Sequence, residues 1–153
     1  MRYWLVKSEP EVFSLDDLKD KKVSPWDGVR NYQARNFMRD EMGVGDPVLF
    51  YHSRERPPAV VGLAEVVSEP YPDPTQYDPA SPYFDPKATE SKPRWWLVDL
   101  GYVRHFPQKV SLEQIKATEA LQEMMLVKRS RLSVMPVAQA HAERILTMAG
   151  EAP

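Results

Sequence analysis

Hydrophobic positions along the chain fall into short runs separated by turn residues. Residues 2–7, Arg-Tyr-Trp-Leu-Val-Lys, are aromatic and β-branched and predict a first strand. Ser14 then opens a short helix. It can cap the amide of Asp17, Asp16 and Asp17 suit the positive end of the helix dipole, and Ser24-Pro25 breaks the element. Trp26-Asp27-Gly28-Val29-Arg30-Asn31 reads as a turn. From Asn31 to Met42 the apolar residues Ala34, Phe37, Met38 and Met42 recur at helical spacing, and Gly43 and Gly45 end the helix. Residues 47–53 and 59–67 predict two strands joined by a hairpin-sized connection. Residues 69–93 predict a long loop. Beyond it, Trp96, Val98, Leu100, Tyr102 and Phe106 alternate along a long or bent strand over 94–106. Ser111 and Gln114 form a capping-box pattern before a short helix to Lys116, and a second short helix follows from Thr118 to about Met124. Residues 132–135 predict a short strand. Pro136 opens a final helix that ends at Gly150. Strands outnumber β-α-β units, so the pattern predicts an α+β fold: a curved antiparallel sheet or small barrel with short helices outside.

Composition sharpens this in three places. The chain has 153 residues, 42% of them hydrophobic and 27% charged, which suits one domain with a real core and excludes a disordered chain. We expect that domain over residues 1–150, with 151–153 as a tail. There is no Cys, which excludes a disulfide scaffold, a thiol nucleophile and an iron–sulfur cluster. There are 15 Pro against 6 Gly, and Pro70, Pro72, Pro74, Pro79, Pro82, Pro86 and Pro93 crowd into the loop. Tyr71, Tyr77, Tyr83 and Phe84 make that loop too aromatic for simple disorder, and we expect them to order it. The start carries only a short apolar run before Lys7, which does not read as a signal or transit peptide, and no run reaches transmembrane length. The expectation is a cytoplasmic protein with no membrane partner.

Net charge is −2, which argues against a protein that coats nucleic acid through a broad basic face. Local basic segments remain. Arg30, Arg35 and Arg39 lie between residues 28 and 39 with no acid among them, and Lys128-Arg129-Ser130-Arg131 forms a short run. Catalytic signals are weak. His52 and Ser53 are strand neighbours, so their side chains point to opposite faces. His105 and His141 are isolated, no histidine pair has metal-ligand spacing, and there is no phosphate-binding glycine loop. No catalytic constellation, metal or cofactor is expected.

The densest chemistry is in residues 26–36. An aromatic, a flexible turn and an amide precede a helix N-terminus, where free N–H groups and partial positive charge gather. Trp26 can stack on a nucleobase while Asn31 reads its edge; equally, Trp26 can be a core residue and Asn31 an N-cap. Lys7 and Ser8, at the end of the first strand, offer a cation and a small donor and acceptor. Tyr83 and Phe84 can supply a second aromatic wall or simply pin the loop. Of Trp95 and Trp96, one is expected in the core and the other at a rim.

Taken in order, several segments resemble the EVE domain. They are residues 3–10 (Tyr-Trp-Leu-Val-Lys-Ser-Glu-Pro), 26–36 (Trp-Asp-Gly-Val-Arg-Asn-Tyr-Gln-Ala-Arg-Asn) and 50–53 (Phe-Tyr-His-Ser). Gly62-Leu63-Ala64, Tyr71-Pro72-Asp73, Tyr83-Phe84-Asp85-Pro86-Lys87, Trp95 with Val98-Asp99, and Arg131-Leu132-Ser133-Val134 with Pro136 continue the likeness. The resemblance implies a PUA-like curved antiparallel β-barrel with flanking short helices, similar to the YTH domain. It implies a module that binds DNA or RNA carrying a modified base of the 5-methylcytosine or 5-hydroxymethylcytosine type. By that likeness Lys7, Ser8 and Trp26 occupy pocket positions, with Asn31, His52 and Ser53 beside them and Tyr83 and Phe84 as a second wall. Arg30, Arg35, Lys128 and Arg129 are the candidate phosphate contacts. Two other readings stand beside this one: an enzyme acting on a modified nucleotide with His52 as base, and a protein-interaction module that docks a partner through the proline-rich loop.

Overall fold

The computed structural model describes residues 2–128 and 131–151. Eight strands appear: β1 (Tyr3–Ser8), β2 (Val23–Pro25), β3 (Pro47–His52), β4 (Ala59–Val66), β5 (Tyr71–Pro72), β6 (Trp96–Leu97), β7 (Asp99–Ser111) and β8 (Val134–Val137). Five α-helices accompany them: α1 (Leu15–Lys21), α2 (Tyr32–Asn36), α3 (Leu112–Ala117), α4 (Met125–Lys128) and α5 (Gln139–Met148). Six strands make a curled half-barrel in the order β2-β7-β4-β3-β1-β8, and β5 and β6 pair separately.

The sheet is not wholly antiparallel. β1 runs parallel to β3, from Trp4 beside Val48 to Ser8 beside His52, while its other edge pairs antiparallel with β8. This central place explains its sequence. Trp4, Leu5 and Val6 are all fully buried, so β1 reads as an apolar run rather than an alternation. β4 behaves alike, with Ala59 to Ala64 all buried between the core and α1. At Gly62 the layers approach so closely that an added Cβ would lie 2.3 Å from Leu15 and 2.5 Å from the carbonyl oxygen of Arg104. β7 is long and bent, with register shifts along its pairing with β4, and serves both β4 and β2.

Local sequence explains the helices. Ser14 caps α1 as a reciprocal box: its hydroxyl accepts the Asp17 N–H at 3.0 Å and its own N–H reaches the Asp17 carboxylate at 2.8 Å. Ser111 and Gln114 repeat the device at α3. The predicted helix over 31–42 is present, but after Asn36 it widens into a π-helical turn over Phe37–Glu41. β2, which no periodicity announced, tolerates Pro25 because it is an edge strand. The helix expected over 118–124 is only a 3₁₀ turn at Glu119–Leu121, and α4 begins after it, at Met125. Glu151 is tied down as well: it pairs with Arg104, and its N–H donates to the Leu146 carbonyl at 3.0 Å.

The proline-rich loop is ordered, by means the sequence did not suggest. Tyr83 and Phe84 are 40% and 39% exposed. Two buried polar side chains organise the segment instead. Asp73 accepts the Gly28 N–H at 2.8 Å and Arg30 at 3.2 Å on one oxygen, and the Thr75 N–H and hydroxyl at 2.8 and 2.6 Å on the other. Gln76 donates to the carbonyls of Asp73 and Trp95, each at 2.8 Å, and accepts the N–H groups of Arg94 and Trp95 at 3.0 and 2.9 Å. Both side chains are thus fully partnered, as burial demands. Trp95 is buried, while Trp96 is only partly so. No helix among the described residues is long and apolar enough to cross a membrane.

Candidate nucleic-acid interface

β1, the turn after β2 and the proline-rich loop converge on one cavity of about 540 Å³. That lies within the range of about 300–1,000 Å³ common for small-molecule sites. Lys7, Ser8, Trp26, Arg30 and Tyr83 line it, joined by Phe13, Lys21, Asp27, Gly28 and Ser133 among others.

Trp26 is a core residue that also faces the cavity. Only 9% exposed, it packs edge-on between Phe13 and Phe50, with ring centroids 6.1 and 5.5 Å away, while still lining the cavity. Its N–H donates to the Val98 carbonyl at 3.0 Å, which fixes the turn to the sheet. Across from it, Tyr83 rests on Gly28. A Cβ at Gly28 would lie 2.7 Å from the tyrosine ring, and its φ of +78° is one that glycine adopts without strain. Ser8 donates its hydroxyl to the Phe13 carbonyl and so holds the following turn against the cavity. Burial pushes the Lys7 ammonium below its usual pKa.

Arg30 differs from its expected part. Its five N–H groups are all engaged, on the Tyr83 carbonyl at 3.1 and 2.8 Å, the Val29 carbonyl at 3.0 Å, Asp73 at 3.2 Å and the Thr75 hydroxyl at 2.9 Å. The guanidinium also lies 5.6 Å from the Tyr83 ring and 5.2 Å from the Trp95 ring. Arg30 is therefore a clamp that holds the Tyr83 wall, with no N–H left for a phosphate. Arg35 sits beyond, 4.7 Å from the Tyr32 ring and bonded to the Arg94 carbonyl at 2.8 Å. Tyr32 in turn stacks on Trp95 at 4.7 Å.

The remaining candidates among the described residues stand outside the cavity lining. Asn31 is the N-cap of α2 and accepts the Ala34 N–H at 2.9 Å. His52 is buried, and its Nε2 accepts the Leu15 N–H at 3.1 Å. Burial lowers its pKa, opposed by Glu55. Ser53 donates its N–H to the Ser8 carbonyl at 2.9 Å. Phe84 is exposed on the loop. Lys128 pairs with Glu123 away from the cavity, and Arg129 lies outside the described residues. Among the described residues no group of three or more His, Asp or Glu could hold a metal ion. Sequence reading missed Asp73 and Asp27. Asp73 before Pro74 is an N-cap followed by proline at the first helical position, and Asp27-Gly28 is a turn pair, so a local signal existed for each. Gln76 carried none.

The curled sheet, its short outer helices and the cavity at the end of β1 define an α+β protein of the PUA-like class. The chain belongs to the EVE domain family, whose model matches residues 2–148. Thymocyte nuclear protein 1 of Mus musculus is 42% identical, over 95% of this chain and 73% of its own length. A protein of Leishmania major superimposes with a TM-score of 0.93 at 51% identity, covering 98% of this chain and 95% of that one. Human THYN1, crystallised in complex with 5-methylcytosine-containing DNA, superimposes with a TM-score of 0.94 at 38% identity, each chain covered in full. An ASCH protein of Zymomonas mobilis, at 11% identity and a TM-score of 0.56, shares the fold alone.

Proposed function

We propose that this protein is a non-enzymatic reader of modified cytosine in DNA, taking a single unstacked base into the cavity between Trp26 and Tyr83. One observation carries the reading. The cavity joins the aromatic residues Phe13, Trp26 and Tyr83 to Lys7, Lys21, Ser8 and Asp27, in a chain that matches a relative crystallised with 5-methylcytosine DNA along its full length. The chemistry fits: aromatic faces accept the flat base, the Lys7 and Lys21 ammonium groups favour the adjoining phosphate, and the polar edges meet the base edge. Removing a base from its stack costs a few kcal/mol, which the cavity must return through stacking and edge contacts.

The enzymatic alternative finds less support. His52, the base it would require, is outside the cavity lining and already accepts a backbone N–H. The proline-loop docking alternative meets a loop folded back on its own domain through Asp73 and Gln76.

Fluorescence-anisotropy titration of matched oligonucleotides with 5-methylcytosine or cytosine at one position tests the proposal. The modified strand should bind more tightly, with affinity falling as salt rises. Trp26→Ala should weaken it by about tenfold or more, since stacking contributes about 1–3 kcal/mol per base. Unchanged affinity in a folded Trp26→Ala variant would overturn the cavity assignment.

A further inference from the structure

Asp27 stands in the cavity wall between Trp26 and Gly28, in the turn that Gly28 allows. It contrasts with Asp73 nearby. Both oxygens of Asp73 are saturated by donors from the fold, whereas among the described residues no neighbouring side chain donates to Asp27. Desolvation first, and then the negative charge of Asp73, raise its pKa, with its own N–H, Lys21 and Arg30 acting the other way. A carboxylate so placed seeks N–H donors from whatever enters the cavity.

The bases differ at the edge that matters here. Cytosine and 5-methylcytosine present an exocyclic amino group with two N–H donors. Thymine carries the same 5-methyl group but an oxygen in place of the amino group, so its one imide N–H is flanked by two carbonyl oxygens that a carboxylate repels. Stacking on Trp26 and contact with the methyl group cannot separate these two bases, and a carboxylate can.

We propose that Asp27 is the residue by which the cavity selects a base bearing an exocyclic amino group, 5-methylcytosine, over thymine. This rests on the reader function proposed above. Asp27 lines the same cavity as Trp26 and Tyr83.

The test uses the full chain and three single-stranded oligonucleotides identical except for one central base: 5-methylcytosine, cytosine or thymine. The wild-type protein should bind the 5-methylcytosine strand about tenfold more tightly than the thymine strand, the scale of one good base-edge contact. Asp27→Asn should bring that ratio close to one, because an amide N–H can meet the thymine oxygen. Asp27→Ala should lose affinity for 5-methylcytosine and, with the repulsion gone, gain some for thymine, whereas disturbance of the turn would weaken both. An unchanged ratio in Asp27→Asn, or equal binding of 5-methylcytosine and thymine by the wild type, overturns the role of Asp27 and leaves the reader function standing. Failure of the wild type to bind the 5-methylcytosine strand at all overturns both.

Discussion

The half-barrel and the segment from Tyr71 to Trp95 sit side by side and are held together by opposite chemistry. In the sheet, Trp4, Leu5, Phe50 and Leu49 are fully buried and their packing does the stabilising. In the loop segment the fully buried centre is polar: Asp73 and Gln76 gather backbone groups of three separate stretches, 28–30, 73–76 and 94–95. Apolar packing degrades gradually as methylenes are removed. A hydrogen-bonded hub fails abruptly, because each lost partner leaves a buried group unpaired. The cavity lies on the seam between them, with Trp26 rooted in the sheet and Tyr83 carried by the loop.

The sharpest way to separate the two regions is to damage each alone. Phe50→Ala removes a fully buried ring beneath Trp26 and should cost about 3–5 kcal/mol in urea denaturation. A loss below about 1 kcal/mol would show that the sheet does not depend on this packing. Gln76→Leu keeps the volume and strips four hydrogen bonds; the carbonyls of Asp73 and Trp95 keep their backbone donors, but the N–H groups of Arg94 and Trp95 are left unpaired at about 1–3 kcal/mol each. We expect hydrogen exchange to quicken across 73–95 while β1, β3 and β4 stay protected. Equal loss of protection in both regions would mean that they unfold as one unit and would dissolve the contrast.

The smallest effect is in pH dependence. His52 belongs to the sheet and has its pKa lowered by burial, from an ordinary 6.5. The unfolded chain therefore binds this proton first. Its contribution to stability is whole above pH 6.5 and diminishes as pH falls below, until the folded histidine protonates too. Asp85 belongs to the loop. The Trp95 indole N–H, at 2.8 Å, and the Lys87 N–H hold its pKa below the ordinary 3.8, so its contribution persists above 3.8 and is lost as pH falls through the lower folded value. Thermal midpoints across pH should show the sheet step first, and His52→Gln should flatten only that step.

The same contrast decides what was legible beforehand. Apolar runs and capping serines marked the strands, α1 and α3, because burial and capping leave local patterns. The EVE motifs placed Lys7, Ser8 and Trp26 together, and these do meet in one cavity. Asn31 follows a cavity residue in the chain, and His52 and Ser53 lie beside Ser8 across the sheet, but they use their polar groups for capping and backbone bonds, which residue type alone cannot reveal. The order of the loop was legible as a fact and not in its cause. Prolines and tyrosines drew attention, while Gln76 works through partners eighteen and nineteen positions away. The parallel pairing of β1 with β3 was likewise invisible, since strand direction leaves no mark on composition.

That pairing has a consequence for how the molecule comes into being. β1 lies between β3 and β8, and its residue Val6 meets Val134 across the sheet. While the chain is being synthesised, β1 has one open edge until β8 has been made. Its pairing closes a very long loop of chain, the kind of contact that slows folding. A nascent chain stalled before β8 should therefore expose an apolar strand edge.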